Sequence, residues 1–225
     1  MNEKPITIAI DGPVGAGKSC IAARVAQKLG ILYLDTGAMY RAVGLYMLRN
    51  GVDLHDAINV AKRAPLAHVD VRYVDGEQRV LLGGEDVSEA IRHNEVSMAA
   101  SAVSAVGVVR HLMVSRQQEI ARARSLVMDG RDIGTCVLPD ATLKIYLTAD
   151  AQERARRRCE QLAQTGAPVP FEQVLAELQA RDRADMTRAE SPLRQADDAV
   201  LLDSTHLTID QVVDRILELL EQRKG

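Results

Sequence analysis

Short apolar runs and stretches of helical period take turns along most of this chain. Residues 6–10 form a β-branched apolar run ended by Asp11-Gly12-Pro13, and residues 19–29 then carry helical periodicity up to Gly30, a C-terminal cap. Further apolar runs at 31–34, 126–128, 143–147 and 199–202 are bounded by turn or polar residues and separated by helix-like segments. Strands alternating with helices predict an α/β fold, a parallel sheet of the P-loop NTPase type with helices on both faces. Near the end, Thr208-Ile209-Asp210-Gln211 reads as a capping box, and Ile209, Val212, Val213, Ile216, Leu217 and Leu220 recur at helical spacing.

One stretch breaks the alternation. Val69, Val71 and Tyr73 alternate with polar residues, Asp75-Gly76 makes a turn, and residues 79–82 form a second strand before Gly83-Gly84. Residues 66–99 are therefore expected as a small β insert in a single domain spanning 1–225, whose core comprises 1–65 and 100–225. No repeat, low-complexity tract or Pro/Gly-rich linker divides the chain.

Composition narrows the function. With 225 residues and 47% hydrophobic positions the chain can bury a large core, which excludes intrinsic disorder. Against 31 Asp and Glu stand 28 basic residues, 22 of them Arg, for a net charge of −3. That balance excludes a broadly basic surface for nucleic acid, while the Arg bias suits local recognition of phosphate. With no Trp and one Phe, base-stacking platforms are not expected. Cys20, Cys136 and Cys159 fit neither a disulfide framework nor a zinc site. Residues 1–13 lack a leader pattern and no apolar run reaches about 18 residues, so a soluble cytoplasmic protein without membrane contact is expected.

Gly12-Pro13-Val14-Gly15-Ala16-Gly17-Lys18-Ser19 matches G-x-x-x-x-G-K-[ST], with a strand before it and a helix after it. Its glycines let backbone N–H groups turn toward phosphates, Lys18 reaches the β- and γ-phosphates, and the Ser19 hydroxyl is placed to ligate Mg²⁺. This predicts a nucleoside triphosphate site. No Asn is followed by Lys and no Gly has Asp three residues before it, which argues against a GTPase. The chain is also short for a motor ATPase. A small kinase suits the length, and it needs an acceptor pocket, positive charge and a closing lid.

Three segments are candidates for these parts. In Asp35-Thr36-Gly37-Ala38-Met39-Tyr40-Arg41, at the carboxyl-end crevice of the sheet, Arg41 could hold an acceptor phosphate. In Asp129-Gly130-Arg131-Asp132-Ile133-Gly134-Thr135, Asp129 could hold a magnesium-bound water, Arg131 could clamp phosphate and Asp132 could face the acceptor. The third is a helix–loop–helix lid around 150–170. Asp150 would cap its first helix, with Glu153 completing a box-like pair, and 165–170 would connect to the second helix. Arg154 and Arg158 share one helical face, as do Arg181 and Asp185, so several are expected to converge on the transferring phosphate. A kinase for another small acceptor, such as a shikimate-like acid, and a nucleotide-sensing module whose lid signals to a partner are the alternatives.

The ordered set of these segments, with Ile8-Ala9-Ile10-Asp11, Gly84-Glu85-Asp86-Val87, Ile91-Arg92 and Arg181-Asp182-Arg183 through Arg188, resembles the bacterial cytidylate kinases of the nucleoside monophosphate kinase class. The resemblance implies transfer of the γ-phosphoryl group of ATP, with Mg²⁺, to CMP or dCMP in pyrimidine metabolism, and a lid over an enclosed single-chain site makes a monomer the expectation. It implies ATP contacts at residues 12–20 (Gly12, Pro13, Val14, Gly15, Ala16, Gly17, Lys18, Ser19 and Cys20), and catalytic roles for Lys18, Arg131, Arg158 and Arg181. It implies acceptor contacts at Thr36, Arg41, Ser101, Arg110, Arg131, Asp132, Arg181, Asp185 and Arg188. Under it, Asp132 accepts from the cytosine amino group while Arg110 and Arg188 donate to O2 and N3. Ser101 and Arg110 lie in Ala-rich helical sequence, where a surface Arg needs no explanation, so only the resemblance singles them out. Thr36 stands where that family more usually has Ser, and Cys20 where Thr is common.

Overall fold

The computed structural model describes residues 5–122, 124–164 and 166–224. Thr165, where the expected lid connection begins, and residues 1–4 lie outside them. The chain runs β1 (Thr7–Asp11), α1 (Lys18–Leu29), β2 (Leu32–Asp35), α2 (Thr36–Arg49) and α3 (Ala57–Arg63), then β3 (Val69–Val74), β4 (Glu77–Leu82) and β5 (Glu85–Asp86). It continues through α4 (Asn94–Ser104), α5 (Gly107–Arg122), β6 (Leu126–Gly130), β7 (Leu143–Thr148), α6 (Ala151–Gln164), α7 (Phe171–Thr187), β8 (Val200–Asp203) and α8 (Ile209–Lys224).

Strands β2-β6-β1-β7-β8, in that order, make a five-stranded parallel sheet. Side chains alternate across it: Ile8 and Ile10 pack under α1 and α8, while Ala9 faces the layer of α2, α4 and α5. Helices α2 and α4 approach so closely that a Cβ on Gly44 would lie 2.9 Å from the Ala100 nitrogen. At α8 the capping box forms as expected, with Thr208 N donating to Gln211 Oε1 at 2.9 Å and Gln211 N to Thr208 Oγ1 at 3.2 Å.

All five core strands run past the ends of their apolar runs, finishing on Asp11, Asp35, Gly130, Thr148 and Asp203. The apolar run measures the depth of the core, whereas the hydrogen-bonded ladder continues until the chain turns. The residues left out are polar because they stand at the carboxyl edge, where ligands of parallel sheets bind.

The interrupting stretch forms a separate three-stranded antiparallel sheet, β3-β4-β5, with Tyr73 directly opposite Gln78. Residue 99 lies inside α4, whose buried Val96 and Val103 belong to the main core. The same core cluster also takes in Val69, Val80, Leu82, Val87 and Ile91 of the interrupting stretch. Residues 150–170 likewise cover only α6 and the connection; α7 packs on α6 through Ala155, Val174 and Leu178. Among the described residues no single helix is long and apolar enough to cross a membrane.

Candidate active site

A cleft of about 630 Å³ opens at the carboxyl edge of the sheet, lined by the P-loop, the start of α2, the segment after β6 and the facing sides of α6 and α7. The P-loop is pressed onto β7: a Cβ on Gly12 would lie 1.9 Å from the Leu147 carbonyl oxygen, so no side chain fits there. Helix α1 starts at Lys18 with neither a side-chain cap nor an acidic residue in its first turn. Its positive end is thus left for an external anion. Lys18 is buried, with Nζ donating to the Pro13 carbonyl at 2.7 Å. Burial, and after it the nearby Arg131, drive its pKa far below that of a free lysine.

Ser19 donates to one Asp129 oxygen at 2.9 Å, and the Tyr33 hydroxyl to the other at 2.8 Å. Burial, reinforced by Asp35, raises the Asp129 carboxyl above its ordinary value. This all-oxygen pair beside the P-loop fits a hard divalent cation that takes its remaining ligands from water and phosphate.

At the start of α2, Asp35 caps the helix through Ala38 N at 2.9 Å and holds Arg41 Nη2 at 2.7 Å with its other oxygen. Thr36 is buried and spends its hydroxyl hydrogen on the Asp129 carbonyl at 2.7 Å, so it ties the start of α2 to β6. Arg131 Nε donates to Asp185 at 2.8 Å. Deeper in, Asp132 pairs with Arg110 and lies 3.7 Å from Arg188, all three side chains less than a tenth exposed. Arg110, unremarkable in its helical sequence, is only 3% exposed and lies over the Tyr40 ring at 5.5 Å. Ser101, Arg158 and Arg181 line the same cleft, and Cys20 does so with an exposed thiol.

Two expectations from the charged helices need correction. Arg154 does not join the convergent set: it is buried and donates to the carbonyls of Ala149 at 2.9 Å and Val14 at 2.8 Å and to Asp182 at 2.7 Å. Asp182 in turn accepts from Val14 N at 3.1 Å, so α6 and α7 together grip the P-loop backbone. Shared helical facing places Arg154 and Arg158 side by side at the cleft, but the one nearer the helix start is buried against the P-loop backbone. Glu153 does not complete a capping box either. Asp150 caps α6 through Gln152 N and Glu153 N, but its own N–H is taken by Thr205 Oγ1, and Glu153 pairs with Arg156 and Arg157.

Sequence reasoning also missed Asp11 and Tyr33. Asp11 is buried and accepts from Ile133 N at 2.8 Å and Gly134 N at 2.7 Å, fixing the π-helical turn Ile133–Val137 that follows Asp132. An unneutralised Asp closing an apolar strand was the available signal; Tyr33, inside an apolar run, offered none.

Across known proteins, the profile of the family described as "Cytidylate kinase" matches residues 8–222. A cytidylate kinase of Caldicellulosiruptor bescii is 52% identical over 216 residues, covering 96% of each chain, and that of Caldicellulosiruptor saccharolyticus is 50% identical with the same coverage. Among solved structures a gluconokinase from Sinorhizobium meliloti is similar in fold, with a TM-score of 0.50 and 15% identity over 97% of this chain and 93% of that one. With a P-loop, a crevice of paired arginines and carboxylates, and this relatedness over nearly its whole length, the chain belongs to the cytidylate kinase family.

Proposed function

We propose that the cleft carries out the family's reaction in the following way: the γ-phosphoryl group of ATP passes to CMP or dCMP, giving ADP and CDP or dCDP. The observation that carries the acceptor assignment is the buried Arg110–Asp132–Arg188 group in the same cleft as Lys18. A carboxylate flanked by two guanidiniums offers an acceptor and donors to one planar edge, the pattern that cytosine's amino group, N3 and O2 complement. Uracil, with N3–H and O4, would leave buried partners unmatched.

In this reading Gly12 to Ser19, with Cys20, hold the donor phosphates at the positive end of α1. Mg²⁺ would sit at Ser19, with Asp129 reaching it through water, and would neutralise charge on the β- and γ-phosphates. Arg41, Arg131 and the first turn of α2 at Thr36 hold the acceptor phosphate, and Ser101, Arg181 and Asp185 complete its nucleoside contacts. Lys18, Arg131, Arg158 and Arg181 stabilise charge on the group in flight. No general base is required, because the acceptor phosphate is largely ionised near neutral pH. Residues 66–99 serve as the monophosphate-binding insert and 150–170 as the lid, in a monomeric, cytoplasmic enzyme of pyrimidine metabolism.

The test is ADP formation with ATP and Mg²⁺ against CMP, dCMP, UMP, AMP, GMP and shikimate. CMP and dCMP are expected to stimulate most strongly; no stimulation by either, or preference for another acceptor, would overturn the assignment.

A further inference from the structure

The β insert holds the acceptor-phosphate residues through side chains that never reach the cleft. Strand β2 is an edge strand of the main sheet, so the backbone groups on its outer side have no neighbouring strand. Leu32 N points inward, donating to Ser125 O, which by alternation puts Tyr33 and Asp35 on the outer side. There Gln78 of β4 makes a matched pair with Asp35: Asp35 N donates to Gln78 Oε1 at 2.7 Å and Gln78 Nε2 donates to the Asp35 carbonyl at 3.2 Å. Tyr73 of β3, cross-strand partner of Gln78 and on the same face of the hairpin, donates from its hydroxyl to the Tyr33 carbonyl at 3.0 Å. Two side chains thus do for the open edge what a sixth strand would do.

The residue gripped this way is the one that places Arg41. One Asp35 carboxylate oxygen caps α2 and the other holds Arg41 Nη2, while Arg41 Nε is buried with no partner. Neither Gln78 nor Tyr73 lines the cleft. We infer that Gln78, aided by Tyr73, is a positioning residue for the acceptor phosphate, acting through Asp35 on Arg41. This rests on the proposed role of Arg41.

Gln78→Met keeps the length and removes both hydrogen bonds. The expected result is a KM for CMP raised about tenfold, the size of one or two lost positioning bonds, with kcat and the KM for ATP within about twofold. A merely structural role would depress both substrates together, and that parallel change would overturn the inference. The second readout is a cycle with Arg41→Ala: because Gln78 acts through Arg41, its effect on CMP should largely vanish in that background, whereas full additivity would overturn it. Should Gln78→Met fail to fold, Tyr73→Phe keeps the ring and deletes one bond. It should raise the KM for CMP about threefold, and an unchanged value would count equally against the inference. Failure of the parent to use CMP at all would instead strike the proposed function.

Discussion

Asp11 keeps a carboxylate where little water reaches, and burial pushes its pKa up to about 6 from 3.8, against the two N–H bonds that lower it. The folded state therefore holds this proton more tightly than the unfolded chain. The stability it contributes is complete below about pH 4 and is lost as pH rises through 6, after which it is flat. Asp11→Asn removes the titration, so the gap between parent and variant unfolding free energies should move against the parent by on the order of 3 kcal/mol between pH 4 and 7. Denaturant titrations across that range check this, and a constant gap would contradict it. At Lys18 the prediction is kinetic: Lys18→Ala should leave the fold intact yet cut kcat by about a thousandfold, because a point charge on the transferring group is lost. For Asp132→Ala the KM for CMP should rise while that for ATP stays near the parent's, read from initial rates with each nucleotide varied.

Helices α6 and α7 divide their charges between two tasks. Arg154 and Asp182 hold both backbone groups of Val14, whereas Arg158 and Arg181 face the open cleft. Arg154→Met should leave Asp182 buried without its partner and lower stability by about 3 kcal/mol, with a raised KM for ATP as the P-loop loosens. Arg158→Ala should leave the unfolding midpoint unchanged and lower kcat. The same residues show what a sequence can carry. Strand and helix positions followed from apolar period, because burial repeats with the geometry of the element, and the capping box followed from its four-residue spacing. The P-loop was legible because its glycines and lysine serve one local purpose. The fates of Arg154, Asp182, Arg110 and Asp11 were not, since each depends on partners between 22 and 140 residues away, supplied only when the sheet assembles. Helical facing identified neighbours but could not say which of two arginines one turn apart would be buried.

For the whole molecule, a net charge of −3 conceals a strong local field. Lys18, Arg41, Arg110, Arg131, Arg154, Arg157, Arg158, Arg181 and Arg188 line the cleft against Asp35, Asp129, Asp132 and Asp185. The cleft wall is therefore positive on a chain that is negative elsewhere. Many of these cations are already tied to a carboxylate: Arg41 to Asp35, Arg131 to Asp185, Arg110 to Asp132 and Arg154 to Asp182. Each such pair fixes the guanidinium before a phosphate arrives and spares the protein a bare charge, while Arg181, crowded by Arg131 as well as buried, has its pKa lowered. Two polyanions must enter together, so the excess positive charge has to outweigh their mutual repulsion, and salt screens that attraction over about 10 Å at 0.1 M. Raising potassium chloride from about 0.05 to about 0.5 M, at fixed free Mg²⁺, should therefore raise the KM values for ATP and CMP several-fold. If the proposed lid closes over both substrates, water and salt are excluded from the cleft, and kcat should change much less. The discriminating measurement is the order of sensitivity. If the arginines act mainly by long-range attraction, both KM values rise together with salt. If paired arginines act mainly by fixed geometry, the KM for CMP, whose proposed base site is the nearly dry Arg110–Asp132–Arg188 group, rises less than that for ATP. The burial of that group favours the second outcome, and initial rates over a matrix of salt and nucleotide concentrations decide it.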